Sequence, residues 1–364
     1  MGAATMRVVS GDSHVVEPHD LWTNKLAATK YADRAPIMAP GSAGFEFRID
    51  GLAPFPVGLA GAAGRRSDDL SNEGELREGG WNTAARIDDM DQDGIAAEVL
   101  YPSVGMSIVQ APDHEYQLAC IRAYNDWLVE FCAASPGRLV GLALIPVYDV
   151  DVAVAEIDRA HRLGLRGALI PAIPTEGHYA EARFDAMWAA LSERNVPVSF
   201  HVLTGGRAYD PTLGSGIRLI GLMSPVHHIQ NTLGLLMFGK VFDRHPELEV
   251  VSAEHDGGWI AHYGYRMEQM YERHHNWLGP DIALDRTPTE YLRSRVWYTF
   301  QKDPIAVETR HRVGVTQLLW ASDYPHSDST WPHSQKVIER DFAGVPNDEI
   351  AAIVGGNATK LYGL

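Results

Sequence analysis

The sequence has little cysteine, since only Cys120 and Cys132 occur among its 364 residues. Both lie in a stretch with the pattern of a single helix, about three turns apart along its axis, which is too far for a disulfide. Apolar runs near the roughly 18 residues of a membrane-spanning helix are also missing, and the first residues lack the pattern of a signal peptide. These absences predict a cytoplasmic protein without a disulfide framework.

Clustered basic residues are missing as well. The chain has 31 Lys and Arg against 47 Asp and Glu, and its formal net charge is −16. Nucleic acids and anionic membranes both bind clustered Lys and Arg, so neither is an expected partner. We expect a small-molecule substrate instead. An anionic substrate would have to be attracted locally, by a metal or a buried Arg.

Short apolar runs alternate with helical patterns along the chain, punctuated by 34 Gly and 21 Pro. Such runs are typical of a parallel sheet covered on its outer face. They lie at 6–10, 97–101, 139–144, 166–170, 197–201, 249–253, 296–300 and 317–321. Eight units of this kind predict an α/β fold, a (β/α)₈ TIM barrel, as a single domain over residues 1–364. The alternative is an open doubly wound sheet, but no Gly-x-Gly-x-x-Gly loop follows the first run.

A long polar stretch rich in Gly and Pro, at about residues 17–80, separates the first strand from the next helical pattern. Within it, residues 45–51 alternate apolar and polar side chains and end in Asp50-Gly51, which is a hairpin signal. We therefore expect a small β-hairpin insertion after the first strand. Residues 61–80 are either a solvated loop or a lid over an active site.

Metal-capable side chains follow several of the predicted strands. Asp12 and His14 share one face of an extended strand, because side chains alternate with period two. His201, His255 and Asp323 follow the fifth, sixth and eighth strands. The C-terminal strand ends of a parallel barrel meet at one mouth, so these five residues should converge. Imidazole and carboxylate without thiolate suit Zn²⁺, Mn²⁺ or Fe²⁺, with a position open for water or substrate.

These residues also carry a resemblance. Asp12-Ser13-His14, the histidines at 201 and 255, and the segment Trp-Ala-Ser-Asp-Tyr-Pro-His at 320–326 together resemble the amidohydrolase superfamily. The most similar branch is the amidohydrolase-related (amidohydrolase 2) one, which includes aminocarboxymuconate-semialdehyde decarboxylase and the γ-resorcylate decarboxylases. The resemblance implies a metal-dependent barrel with Asp12, His14, His201 and Asp323 as ligands. It further implies His255 and Asp323 as catalytic residues, a carboxylic acid as substrate, and a homodimer.

Two departures from the superfamily pattern bear on the metal. Most members have His-x-His after the first strand, whereas Asp12 stands first here, which is similar to the Glu-x-His of the resorcylate group. After the fourth strand, where binuclear hydrolases carry a carboxylated Lys, the sequence reads Ile170-Pro171-Ala172. A bridging ligand is therefore missing. We expect one divalent ion, Zn²⁺ or Mn²⁺ ahead of Fe²⁺.

A further set of residues is predicted to bind substrate at the mouth of the barrel. The set consists of Gln301, Lys302, Arg207, His326 and His228. Gln301 and Lys302 follow the seventh strand, on the edge that faces the mouth. The guanidinium fork of Arg207 matches a carboxylate, although an exposed loop Arg is the commoner case. For His228 the alternative is a position on a polar helix face.

Three functions are compatible with these residues. The leading hypothesis is decarboxylation of an unsaturated or aromatic acid without a redox cofactor, in which Asp323 delivers a proton to the carbon as CO₂ leaves. The second is hydrolysis of an amide, ester or lactone, with Asp323 and His255 handling protons. The third is a non-catalytic barrel that acts as a binding or scaffold protein, in which the strand-end residues would not converge or would bind no metal.

Overall fold

The computed structural model of the protein describes residues 6–41, 44–57, 60–64, 76–205 and 218–364. Its strands are β1 (Val9–His14), β2 (Ile37–Gly41), β3 (Gly44–Arg48), β4 (Phe55–Pro56), β5 (Ala97–Tyr101), β6 (Leu139–Leu144), β7 (Gly167–Ile170), β8 (Val198–His201), β9 (Val250–Ala253), β10 (Val296–Phe300) and β11 (Leu318–Trp320). Eight of them, β1 and β5 to β11, pair in parallel and in chain order. The turn after β11 meets β1, where the Asp323 N–H donates to the Asp12 carbonyl at 3.0 Å. The predicted (β/α)₈ barrel is confirmed.

Helices connect the strands on the outside of the barrel. They are α1 (Leu21–Leu26), α2 (Thr83–Asp93), α3 (His114–Ala133), α4 (Val150–Arg162), α5 (Asp185–Glu193), α6 (Arg218–Met223), α7 (Pro225–Phe238), α8 (Val241–Arg244), α9 (Ile260–Leu278), α10 (Pro288–Leu292), α11 (Pro304–Glu308), α12 (Arg310–Val313), α13 (Ser334–Asp341), α14 (Asn347–Ala351) and α15 (Asn357–Tyr362). Helix α2 begins where the Asn82 side chain accepts from two backbone N–H groups, and it ends at Gly94 in the left-handed region. Within the described ranges, none of these helices is long and apolar enough to cross a membrane.

The insertion after β1 contains the expected β structure. Strands β2, β3 and β4 form an antiparallel sheet, and the Asp50-Gly51 pair lies in the turn between β3 and β4, with Gly51 at φ 83°. Helix α1 was not predicted. It anchors the insertion, because Trp22 packs against Phe47 and donates its indole N–H to the Cys120 carbonyl at 3.1 Å. Of the segment proposed as a loop or lid, residues 65–75 lie outside the described residues.

Strand β1 is held in place by a buried polar network beneath the barrel mouth. The Arg86 guanidinium donates to the His14 carbonyl at 2.6 Å and to the Glu98 carboxylate at 2.5 Å, and the Ser13 hydroxyl lies 3.2 Å from the other Glu98 oxygen. Arg86 and Glu98 are both almost fully buried. Removing one partner of such a pair leaves an uncompensated buried charge and costs about 3–5 kcal/mol. The network therefore fixes the backbone from which the metal-capable side chains of β1 project.

Close packing also constrains β1 at the residue directly before Asp12. Gly11 precedes Asp12 on β1, and a Cβ at this position would lie 2.9 Å from the Leu319 Cβ on β11. Only glycine lets β1 and β11 approach this closely. The register of β1 against β5 shifts between Ser10 and Ser13, which marks a local irregularity in the strand at Asp12.

Candidate metal centre

Four side chains predicted as metal ligands converge at the mouth of the barrel. Asp12 and His14 project from β1, His201 ends β8, and Asp323 follows β11. His14 Nε2 lies 3.6 Å from Asp12 Oδ1 and 3.5 Å from Asp323 Oδ1, and His201 Nε2 lies 3.6 Å from Asp12 Oδ1. All four side chains are buried. Four of the five residues that the sequence predicted to converge therefore lie together in the structure.

Both imidazoles are oriented by their second ring nitrogen. His14 Nδ1 lies 2.9 Å from the Pro102 carbonyl oxygen, and His201 Nδ1 lies 3.0 Å from the Val202 carbonyl oxygen. A carbonyl only accepts, so in the neutral ring each Nδ1 carries the proton and each Nε2 turns its lone pair toward the centre. Those lone pairs face carboxylate oxygens. Such an arrangement is repulsive unless a cation lies between the groups.

The polar atoms at the centre fit a divalent cation. Asp12 Oδ1, His14 Nε2, His201 Nε2 and Asp323 Oδ1 are buried and lack a hydrogen-bond partner in the described part of the chain, although Asp323 Oδ1 has an ion-pair contact with His326. Each buried polar atom left unpaired costs about 1–3 kcal/mol. Ligand atoms at about 2.1 Å from one ion are about 3.0–3.4 Å apart, close to the separations seen here.

The pKa values of His14 and His201 are shifted in opposite directions by their surroundings. Burial lowers the pKa of His201, but the charges of Asp12 and Glu254 outweigh it and raise the pKa to about 9. Burial together with the neighbouring His326 and His201 holds the pKa of His14 well below its usual range. In the metal-free protein a proton on His201 is therefore the positive charge that offsets the carboxylates.

Glu254 is a member of the centre that the sequence reasoning missed. Its Oε2 lies 3.2 Å from His201 Nε2 and 3.6 Å from His14 Nε2, and 29% of its side chain is exposed at the mouth. Burial and the charge of Asp323 raise its pKa to about 8. The sequence signal that could have identified Glu254 is its position directly after β9, next to His255.

His326, predicted to bind substrate, also joins the centre. Its Nδ1 lies 2.9 Å from Asp323 Oδ1, its Nε2 lies 3.1 Å from the Ser103 hydroxyl, and its ring stacks on His14 with centroids 3.9 Å apart. Burial lowers the pKa of His326, but the Asp323 charge outweighs it and raises the pKa. With His14, Glu254 and Asp323 it forms a second metal-capable group that shares His14 with Asp12 and His201.

Left-handed backbone aims two of the carboxylates inward. Glu254 has φ 56° and Asp323 has φ 57°, a region that costs a non-glycine residue roughly 1–3 kcal/mol. The Glu254 N–H donates to Thr299 Oγ1 at 2.7 Å. The same hydroxyl donates to Asp12 Oδ2 at 2.8 Å, which leaves Asp12 Oδ1 facing the histidines. Contacts between the strand ends that carry the site thus stabilise this strained backbone.

His255, predicted as the catalytic histidine, stands beside the cluster. It is buried, its Nδ1 lies 3.3 Å from the Ser252 hydroxyl, and its Nε2 lacks a hydrogen-bond partner among the described residues. Burial, with His201 and His228 nearby, lowers its pKa to about 3. His255 is therefore a neutral imidazole with one free ring nitrogen. It belongs to neither metal-capable group.

The other predicted substrate-binding residues lie farther out or are not described. Lys302 Nζ lies 2.6 Å from the Asp328 carbonyl oxygen and 3.1 Å from its carboxylate, at the rim of the barrel. Gln301 is half-buried beside it. His228, early in α7, packs against Gly205 in the loop after β8, where a Cβ would lie 2.4 Å from its Nδ1. Arg207 lies outside the described residues. Substrate contact by these residues stays a prediction.

A closed parallel barrel with imidazole and carboxylate ligands at its C-terminal mouth is the architecture of amidohydrolase-type enzymes. A family model described as "Amidohydrolase" matches residues 49–364. The chain therefore belongs to this amidohydrolase family, as the strand-end residues predicted.

Named relatives and solved structures agree with this assignment. The gamma-resorcylate decarboxylase of Rhizobium radiobacter is 26% identical over 280 residues, which cover 70% of this chain and 82% of that protein. The crystal structure of amidohydrolase map2389c from Mycobacterium avium subsp. paratuberculosis K-10 matches with a TM-score of 0.81 and 24% identity, over 99% of this chain and 100% of that chain.

A second similar structure contains a metal. The 5-carboxyvanillate decarboxylase of Novosphingobium aromaticivorans DSM 12444, complexed with manganese and 4-hydroxy-3-methoxy-5-nitrobenzoic acid, matches with a TM-score of 0.72 and 20% identity, over 100% of this chain and 98% of that chain. At these identities the two crystal structures establish the fold and not the reaction.

Proposed function

We propose that this protein is a mononuclear metal-dependent decarboxylase of an aromatic carboxylic acid. The observation that carries the proposal is the convergence of Asp12, His14, His201 and Asp323 at the barrel mouth. His14 Nε2 lies 3.6 Å from Asp12 Oδ1 and 3.5 Å from Asp323 Oδ1, and His201 Nε2 lies 3.6 Å from Asp12 Oδ1. The relatives named as decarboxylases support the choice of reaction. The convergence argues against the form of the non-catalytic scaffold in which the strand-end residues do not converge.

Asp12, His14, His201 and Asp323 would hold the ion, and manganese in a structural neighbour supports Mn²⁺ alongside Zn²⁺. When bound, a divalent ion supplies Lewis-acid stabilisation of negative charge on substrate oxygens. The carboxylates of the protein keep that ion in place, and the buried Nδ1 contacts keep both imidazoles in the tautomer that binds it.

Asp323 is placed to move the proton that decarboxylation requires. Its Oδ1 lies 2.9 Å from His326 Nδ1, so a proton can pass between the imidazole and the carboxyl. In the proposed reaction the proton goes to the ring carbon, the carbon–carboxylate bond breaks, and its electron pair forms the new C–H bond as CO₂ leaves. The buried position of Asp323 also keeps bulk water away from that proton.

His255 acts as a neutral donor or acceptor. With its pKa lowered to about 3 by burial and by His201 and His228, it carries no charge at neutral pH. Its free Nε2 can therefore hydrogen-bond a substrate hydroxyl and orient the ring. This role differs from that of His201, whose nitrogen faces the carboxylates.

Hydrolysis of an amide, ester or lactone is the second candidate, and Glu254 is the observation that favours it. Its partly exposed carboxylate at the mouth could take a proton from an attacking water. The test is to assay CO₂ release from a panel of hydroxybenzoates and muconates beside an ester and lactone panel, with Mn²⁺ or Zn²⁺ added. Release of CO₂ from an aromatic acid, abolished in Asp323→Asn, supports decarboxylation. Turnover confined to esters or lactones would contradict it.

The assembly follows the family expectation, and the location follows the sequence analysis. We infer that the enzyme is a homodimer in the cytoplasm, acting on a small carboxylic acid and on neither nucleic acid nor membrane. The charge of −16 supports the last two points. Light scattering on the purified protein would check the dimer, with a mass near that of one chain as the contrary result.

A further inference from the structure

We propose that Glu254 is an additional ligand of the metal, on the solvent side of the centre. This inference rests on the metal centre of the proposed function and adds a fifth side chain to the four that the sequence indicated. It concerns how this chain binds its ion, whichever of the two reactions it catalyses.

The first argument is the position of the carboxylate. Glu254 Oε2 lies 3.2 Å from His201 Nε2 and 3.6 Å from His14 Nε2, and Asp12 Oδ1 lies 3.6 Å from each of these two nitrogens. Both nitrogens are fully buried and have no hydrogen-bond partner among the residues that the structure describes. Asp12 and Glu254 therefore face the same two lone pairs. A cation bound between the Asp12 carboxylate and these nitrogens is therefore also within reach of the Glu254 carboxylate.

The second argument is the way the backbone holds Glu254. Its φ of 56° is unfavourable for a side chain with a Cβ, and its N–H is pinned to the Thr299 hydroxyl at 2.7 Å. Thr299 gives its own proton to Asp12 Oδ2, so one hydroxyl fixes both Asp12 and Glu254. A surface glutamate would need neither the strained turn nor this shared support.

The contrasting explanation is that Glu254 is only a counterion for a protonated His201. In that case metal binding would have to break the Glu254–His201 ion pair. Removing the charge of Glu254 would lose its attraction for the ion but would also remove the cost of breaking that pair, so metal affinity would stay unchanged or increase. As a ligand, Glu254 contributes directly to holding the ion, and its removal must weaken binding. The two explanations therefore predict opposite changes.

The experiment measures the Kd of Mn²⁺ alone, and of Zn²⁺ alone, by competition with a chelating indicator at fixed pH. The variants are Glu254→Gln, which keeps the shape, and Glu254→Gly, which removes the side chain and accepts the left-handed backbone. Asp256→Asn is the matched control, because Asp256 lies in the same turn with φ 58° but outside both metal-capable groups. Circular dichroism confirms that each variant is folded.

We expect both Glu254 variants to raise the Kd by about tenfold or more, since even residues that only orient ligands contribute about 10–100-fold, while Asp256→Asn keeps the wild-type Kd. An unchanged or lower Kd in Glu254→Gln would overturn the inference, as would an equal loss in Asp256→Asn. Failure of the wild-type protein to bind either metal would instead contradict the proposed function, so the two failures are distinguishable.

Discussion

Substitution of His201 by alanine tests the division of roles between His201, as a metal ligand, and His255, as a catalytic residue. His201 Nε2 lies 3.6 Å from Asp12 Oδ1 and faces the centre, so His201→Ala should lose most of the metal affinity. A ligand at about 100 times its Kd stabilises a protein by about 2.7 kcal/mol. Unfolding entropy of about 2.1 cal/mol/K per residue, taken over 364 residues, converts this to a rise in Tm of about 3–4 °C.

The assay is calorimetry with and without Mn²⁺, and the quantity compared is the change in Tm that the metal causes. The baseline of the metal-free variant will also fall, because His201 is the protonated partner of Asp12 and Glu254 in that state, with its pKa raised to about 9. Comparing each variant with and without metal removes this effect. We expect a shift of about 3–4 °C in the wild type and almost none in His201→Ala.

His255→Ala is the matched control, since His255 is also buried but lies outside the metal-capable groups. It should keep the metal-dependent rise in Tm and lose turnover, because the substitution removes only the substrate contact proposed for His255. The reasoning is refuted if His201→Ala retains the full shift, or if the two variants lose it equally.

Two other perturbations follow from the contacts of the site, and a third concerns Glu17, a buried residue between β1 and α1. Thr299→Val should weaken Mn²⁺ binding about 10-fold or more while Thr299→Ser restores it, because the hydroxyl orients Asp12; equal Kd values in both variants would contradict this. Asp323→Asn should abolish turnover and His326→Ala should reduce it with a shifted pH profile of kcat, because Nδ1 lies 2.9 Å from Oδ1; an unchanged profile in His326→Ala would argue against proton exchange between them. Burial raises the pKa of Glu17 to about 7, so the native state keeps a proton that the unfolded state loses near pH 4.5. The contribution of this proton to stability is lost as pH rises toward 7. Glu17→Gln should therefore show a smaller fall in Tm between pH 5 and pH 8 than the wild type, and an identical fall would refute the assignment.

Much of the barrel could be predicted because its determinants are local. Each buried strand is a short apolar run between helical patterns, and parallel closure then brings strand ends together wherever they lie in the chain. Asp12, His14, His201 and Asp323 were accessible to this reasoning. Strand β1 nevertheless begins later than the apolar run indicated and includes Asp12 and His14, because the bonds to the turn after β11 extend it.

Glu254 could not be predicted in the same way, since its direction depends on a left-handed turn rather than on strand alternation. Adjacent residues such as 254 and 255 would point to opposite faces of a regular strand, and only φ 56° with the Thr299 contact turns Glu254 inward. Lys302 shows the converse case. Its position after β10 faces the mouth, but its long side chain reaches Asp328 at the rim, a contact between distant loops that no local pattern encodes.

The most direct test of the account is a crystal structure of the protein grown with Mn²⁺, with anomalous scattering recorded for manganese. We predict one manganese peak per chain, within bonding distance of Asp12, His14, His201 and Asp323. A peak bonded elsewhere, or these four side chains paired among themselves without the ion in saturating Mn²⁺, would contradict the central claim that the barrel gathers them to hold one metal.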